Sequence, residues 1–374
     1  MTMPRSKYVQ EGEERVYHCF NRCVRRAFLY GYDPLTQRDF SHRKAWIVDR
    51  LQFLSTVFAI EVCAYAILMN HFHTLLRTRP DIVAAWSDRE VAARWLTLFP
   101  RRDGPPSELQ IRALTDCPER IAELRRRLSS LSWFMGRLNE FIARKANKED
   151  GVKGRFWESR FKCQALLDDA AILACMVYVD LNPIRAGLAA TPEASDFTSI
   201  QERIRAWYNE SMITGSVPGE SSQNSPSRPL SPRMPKTQDA ADISNCMPHR
   251  FPPDTRPLPS DSSCWLCPIQ PDAQRRGILQ MTAAEYIDLV DKSGRMLRTD
   301  KRGAIDPDLA PILLRIGANP QAWQDTISHF GSRFRLAAGR LSSLRTFARH
   351  LGRRWLTGVS MAQTAFSTSP SQLA

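Results

Sequence analysis

Residues 15–22 alternate in polarity, with Val16, His18 and Phe20 set against Tyr17, Cys19 and Asn21, which is the two-residue period of a strand. From Ser41 to Phe58 the apolar residues Ile47, Leu51, Leu54 and Phe58 recur at helical spacing and predict an amphipathic helix. Glu61 to Arg77 is rich in Val, Ile, Leu and aromatic residues and is long enough for two strands turning near Met69-Asn70. The stretch 81–147 predicts helices over Asp88–Leu98, Glu119–Leu128 and Leu131–Ala146. Arg-Arg-Asp-Gly-Pro-Pro at 101–106 separates the first two. A strand over 160–167 follows. After it comes a strongly apolar helix from Ala170 to Val179, opened by Asp168-Asp169 as N-cap and closed by Pro183.

Beyond Ser211 the pattern is lost. Ten of the 25 prolines fall between Ser211 and Ser263 among many serines, the composition of a linker. Short helices are predicted again over Thr282–Val290, Pro320–Phe330 and Leu341–Trp355. The expected organisation is an α+β domain over 1–210 with a helical insertion at about 81–130, a Pro/Ser-rich linker over 211–263, and a small accessory helical domain over 264–374.

Charge narrows the class of partner. Lys and Arg number 52 against 39 Asp and Glu, a formal charge of +13, which suits a polyanion. The cations lie in small clusters (Arg25-Arg26, Arg101-Arg102, Arg125-Arg126-Arg127, Arg144-Lys145, Lys301-Arg302) and not on one amphipathic membrane helix, so nucleic acid is favoured over an anionic membrane surface. No apolar run reaches the roughly 18 residues of a membrane span, and the first residues lack the apolar core of a signal peptide. Nine cysteines, an odd number scattered through predicted helices and strands, suit a reduced, cytoplasmic protein.

Two short motifs carry candidate chemistry. His71-Phe72-His73 places two imidazoles on one face of a strand, where they can share a metal ion, or where they are simply polar residues on a solvated face. In Tyr178-Val-Asp-Leu-Asn182 the tyrosine and asparagine are spaced i, i+4. Tyr178 offers a phenolic nucleophile and Asn182 an amide oxygen for a hard cation; equally, the pair is a core tyrosine and a helix-terminal asparagine. Arg155-Phe156-Trp157-Glu158-Ser159-Arg160-Phe161-Lys162 interleaves rings and cations, as single-stranded nucleic acid sites do, unless the rings are core. Arg22, Arg25, Arg26 and Arg185 are further candidate phosphate contacts. Cys246-x-x-His249 and Cys264-x-x-Cys267 have spacing compatible with zinc, in text that equally suits an incidental arrangement near a linker.

The order of these features resembles the single-tyrosine HUH transposases: strand, helix, hairpin with His-Phe-His, strand with Arg-Phe-Trp-Glu-Ser-Arg-Phe, then helix with Tyr-Val-Asp-Leu-Asn-Pro-Ile-Arg-Ala-Gly-Leu. Among these it is most similar to the REP-associated tyrosine transposases. The resemblance covers about residues 15–205. It implies a ferredoxin-like (RRM-like) antiparallel sheet with packed helices. It further implies a divalent metal, Mg²⁺ or Mn²⁺, on His71, His73 and Asn182, and Tyr178 as the nucleophile. The activity implied is cleavage and rejoining of hairpin-bearing or palindromic single-stranded DNA through a 5′-phosphotyrosine, by a monomer or homodimer associated with the nucleoid. The insertion at 81–130 is longer than such an enzyme needs. A non-catalytic DNA-binding regulator of the same fold is the alternative. A replication initiator or relaxase is disfavoured by the single tyrosine on the Tyr178 helix.

Overall fold

The alternation at 15–22 becomes β1 (Arg15–Arg22), the middle strand of a five-stranded sheet. A computed structural model of the chain describes residues 4–24, 29–33, 37–99, 104–214, 265–272, 274–296, 313–314 and 318–366. After β1, a two-residue ladder of β2 (Tyr32–Asp33) and β3 (Arg38–Asp39) leads into α1 (Arg43–Val57). β4 (Ile60–Ile67) and β5 (His71–Thr78) are the two strands expected across Glu61–Arg77, and the Leu68 N–H closes their turn on the His71 carbonyl at 2.8 Å.

Five helices follow: α2 (Pro80–Ala85), α3 (Asp88–Thr97), α4 (Glu108–Thr115), α5 (Pro118–Leu128) and α6 (Leu131–Glu149). Their starts are written locally. Ser87 caps α3, and Ser107 with Gln110 forms a reciprocal capping box on α4. β6 (Lys162–Leu166) and α7 (Asp169–Asp180) come next, with the Asp168 carboxylate accepting from Ala171 N–H as the sequence leads one to expect. Pro183 opens the four-residue α8 (Asn182–Arg185), and α9 (Ser199–Thr214) ends this part of the chain.

The C-terminal segment supplies α10 (Ala283–Met296), α11 (Pro320–Arg333), β7 (Ala337–Ala338), α12 (Leu341–His350) and α13 (Val359–Ala365). α12 stops short of the expected Trp355 because Gly352 takes a left-handed φ of 65° and turns the chain.

The strands run in the order β4-β5-β1-β6-β7, antiparallel except for the β6–β7 pair. The fold is α+β. Strand period sorts β1 cleanly. Tyr17 and Cys19 share a face with Phe72, whose ring meets Trp157, and the Trp157 indole donates to the Asn139 carbonyl on α6. His18 and Phe20 point to the opposite face, toward α7. Helices therefore cover both faces, which is why β5 is buried along nearly its whole length, its polar His73, Thr74, Arg77 and Thr78 included.

β7 adds an edge to this sheet and α11 packs on α7, so the buried residues before 211 and after 263 belong to one continuous core. Residues 215–263 of the expected linker lie outside the described residues.

Asp180, fully buried at the end of α7, joins three helices. It accepts from the Ser199 hydroxyl at 2.5 Å and the Ile200 N–H at 3.1 Å at the start of α9, and from the Tyr286 hydroxyl of α10 at 2.5 Å. Burial pushes its carboxyl up to about 6. Asp180→Ala should lower unfolding stability by on the order of 3 kcal/mol, because three buried donors lose their acceptor. Asp180→Asn, which keeps one acceptor oxygen, should recover much of the loss. Urea midpoints of the two variants and wild type provide the check; an alanine midpoint equal to wild type would remove Asp180 as a helix tie.

Candidate active site

β1 and β5 bring three histidines together. In register, Phe20 faces His73 and Arg22 faces His71, while His18 faces Gln164 across β6. The period of two puts His18, His71, His73 and Gln164 on the face toward α7. There the His18 and His73 rings stack at 5.1 Å, and His71 meets His73 edge-on at 5.1 Å.

The hydrogen bonds set the tautomers. Gln164 Oε1, an acceptor, lies 3.4 Å from His18 Nδ1, so His18 donates from Nδ1 and accepts at Nε2. His73 Nδ1, 2.9 Å from that Nε2, is then the donor. The His73 lone pair is left on Nε2, which is buried and has no hydrogen-bond partner. His71 donates from Nδ1 to the Asn70 side-chain oxygen at 2.7 Å, leaving its own Nε2 lone pair free.

All three imidazoles are held neutral. Burial pulls His18 down to about 4, against the Gln164 bond; burial and the Arg22 charge pull His71 to about 4; burial and the neighbouring histidines pull His73 well below its ordinary value. Two neutral imidazoles with unused Nε2 atoms, one of them orphaned in the interior, fit a divalent cation, and the Gln164–His18 chain behind His73 is the outer support that such ligands use. Among the described residues no three His, Cys, Asp or Glu side chains form a closed metal site of their own, so further donors have to come from an amide, water or substrate oxygens.

Tyr178 stands against this group. Its ring is edge-on to His18 at 5.9 Å and to His73 at 5.7 Å, and it lies 5.9 Å from Phe330 of α11. α7 ends at Asp180 and the chain restarts in α8, but Asn182 is still close enough to the Tyr178 hydroxyl to favour its ionised form. The Arg185 guanidinium sits 5.2 Å from the ring centroid, tethered to the Ser328 carbonyl. Burial raises the phenol's pKa above its ordinary value, while Arg185 and Asn182 oppose that rise. The hydroxyl also abuts Gly331, where a β-carbon would lie 2.7 Å from it.

The other expected residues divide. Arg22 and Arg185 are exposed beside His71 and Tyr178, and Lys162 is exposed with its ammonium 5.6 Å from the Phe20 ring, so cations ring the histidine group. Arg155 and Arg160 are also exposed. Phe156 and Trp157 are not available to stack bases. They are buried with their rings crossed at 4.8 Å, because an aromatic pair beside the sheet gains more from filling the space by Phe72 than from solvent exposure.

Arg25 and Arg26 lie outside the described residues, as do Cys246, His249 and Cys264 of the zinc-like spacing. The fourth member, Cys267, is buried near the Cys63 thiol, with its own thiol donating to the Pro268 carbonyl at 3.6 Å and its N–H to the Val62 carbonyl. His18, Gln164, Phe330 and Gly331 were not foreseen. His18 shares the odd–even phase of a strand pairing with His71-x-His73, a signal that needs the pairing register to be seen. Phe330 and Gly331 arrive from a helix about 150 residues away and carry none.

The tautomer chain is directly testable. In ¹⁵N-resolved spectra of the metal-free protein near pH 7, His73 should appear as the neutral Nδ1–H form. In His18→Phe the Nδ1 acceptor is gone and the imidazole should shift toward the Nε2–H form. An unchanged His73 spectrum in the variant would break the chain.

No family model matches the chain, and no curated protein matches it. A solved structure described as a REP-associated tyrosine transposase bound to a REP hairpin is similar to it at 13% identity, covering 62% of this chain and all of that one, with a TM-score of 0.29. It belongs to the family that the sequence motifs resemble.

Proposed function

We propose that this protein is a metal-dependent single-stranded DNA endonuclease and strand transferase in which Tyr178 attacks a phosphodiester. The observation that carries the proposal is the placement of the Tyr178 ring against two neutral histidines, one with an orphaned Nε2, within a rim of uncompensated positive charge. The arrangement is of the ferredoxin-like kind. The order β4-β5-β1-β6, with α1 joining parallel β1 and β4 and a helical crossover joining parallel β5 and β6, supports that reading.

His71 and His73, with Asn182 in reach of Tyr178, are the residues that would hold Mg²⁺ or Mn²⁺. A cation there supplies polarisation of phosphorus and charge compensation for the phosphoryl oxygens. The chain's own residues do the rest. Arg185 and Asn182 favour the phenolate that burial disfavours, so Tyr178 rests protonated and gives up its proton as its oxygen bonds to phosphorus. A bond forms between Tyr178 Oη and phosphorus as the bond from phosphorus to the 3′-oxygen breaks. The phenolic proton passes to solvent, and the departing 3′-oxygen takes one up. The phosphotyrosine retains the energy of the cleaved bond, so a 3′-hydroxyl can reverse the step and rejoin a strand without ATP. A hairpin-bearing single strand is the expected substrate.

Close packing of Gly331 on the Tyr178 hydroxyl is the one contact that favours the alternative, a DNA-binding regulator in which Tyr178 is only structural. Tyr178→Phe separates the two. With labelled hairpin DNA and Mn²⁺ on a denaturing gel, wild type should give a covalent protein–DNA band. The variant should bind the hairpin with unchanged affinity yet give neither band nor cut strand. Its stability should fall by on the order of 1 kcal/mol at most, the value of one hydrogen bond. An adduct that persists in Tyr178→Phe would move the nucleophile elsewhere.

The metal has its own test. EDTA, His71→Ala and His73→Ala should each abolish the covalent band, and His18→Phe should weaken Mn²⁺ binding about 10- to 100-fold in calorimetry, the usual cost of losing an outer-shell partner. Full cleavage in chelator-treated protein would remove the metal from the reaction.

A further inference from the structure

We propose that the loop Arg353-Arg354-Trp355 is a second contact for single-stranded DNA, with a base stacked on Trp355 and phosphates on the two arginines. The inference rests on the single-stranded DNA reading of the Tyr178 site and extends it to a surface for which no motif made a case.

Trp355 is 70% exposed, an unusual state for the residue type with the most apolar area to hide. The loop that presents it is fixed at both ends. Gly352 turns left-handed at the end of α12, the Arg353 N–H then closes on the Ala348 carbonyl at 2.8 Å, and Leu356 on the other side is buried. The ring is thus held out by ordered backbone. Beside it is a concavity of about 290 Å³ lined by Leu336, Arg353, Arg354, Trp355, Leu356 and Thr357. The side chains of Arg353, Arg354 and the nearby Arg335 are exposed and have no hydrogen-bond or ion-pair partner among the described residues. An apolar ring between unpartnered guanidinium groups has the charge and shape that a base and its flanking phosphates complement.

Its position ties it to the reaction. Leu336 precedes β7, where the Leu336 carbonyl accepts from Ala165 N–H, next to the Gln164 that supports His18. The residue of the concavity nearest the sheet, Leu336, therefore lies beside Gln164, two residues along β6 from Lys162, whose neighbours on the strands beyond are Phe20 and then His73. On the other side, Gly358 packs on Phe334, which contacts Phe330 at 5.1 Å, and Phe330 lies on Tyr178. A strand with its reacting phosphate at Tyr178 can run across Lys162 toward Trp355.

The test uses the full chain and a fluorescein-labelled single-stranded 20-mer, followed by anisotropy over a salt series, with the covalent-band assay run in parallel. Trp355→Ala should weaken binding about tenfold or more, the loss expected for one stacked base, and Trp355→Phe should restore most of it. The double variant Arg353→Ala/Arg354→Ala should reduce the slope of log affinity against log salt by about 1.4, the value for two phosphate contacts on a single strand. Wild-type affinity in Trp355→Ala, with the wild-type protein still forming its covalent band, overturns this inference and leaves the Tyr178 reading standing. So does a change of Trp355→Ala from dimer to monomer by sedimentation at unaltered DNA affinity, since the ring would then serve a second copy of the chain. Failure of wild-type protein both to bind the 20-mer and to form the band overturns the Tyr178 reading and this inference with it.

Discussion

The pairing register of β1 against β5 and β6 is the constraint on which the site depends. A slip of one residue would send His18 to the opposite face and leave His73 without its Nδ1 acceptor. The register is held from the far face. There Tyr17, Cys19 and Phe72 are wholly buried against the layer that contains α6, and a one-residue shift would carry Tyr17 and Cys19 into the space by α7 that the histidines fill. The apolar layer thus fixes the polar one. A buried chain of Gln164, His18 and His73 costs desolvation at every member; the two bonds along it are made, and the atoms left over are the Gln164 amide nitrogen at one end and the His73 Nε2 at the other.

α7 answers to a different requirement. It is apolar on nearly every face, with Ala170 through Val177 all buried, because it lies between the sheet and the helices α10 and α11. Its two polar groups near the C-terminal end are placed with purpose. Asp180 is consumed in holding α9 and α10, and Tyr178 turns to the histidines. A helix so thoroughly packed has little freedom to move its tyrosine, which is an advantage where a nucleophile must be positioned and desolvation already opposes its ionisation.

Much of this is legible in the sequence, and the exceptions have physical causes. Strand and helix periods, the Asp168 cap and the turn near Asn70 are local signals, and the elements follow them. The His71-x-His73 pair and Tyr178 come together because both sit in such elements. Phe156 and Trp157 looked like a binding strip since interleaved rings and cations are the same text whether the rings face water or the core; only the sheet beside them decides. Asn182 stays near the Tyr178 hydroxyl although the helix breaks between them, which spacing alone does not reveal. β7, Phe330 and Gly331 reach the site across a long sequence separation, and no periodicity encodes that.

The C-terminal segment therefore has more than an accessory part in the architecture. Its strand closes the edge that β6 would otherwise expose, and its α11 supplies the wall behind Tyr178, where only glycine leaves room for the hydroxyl. Evolution of such a wall constrains the site from outside the motifs: any side chain at 331 must push back either the helix or the phenol. The 155–162 strip keeps its cations exposed but loses its rings to the core, and an exposed ring between cations reappears on this same segment, at Arg353–Trp355. If the proposed single-stranded DNA activity holds, a chain that commits its aromatic strip to packing needs another surface for unpaired bases, and the segment that walls the tyrosine is placed to provide it.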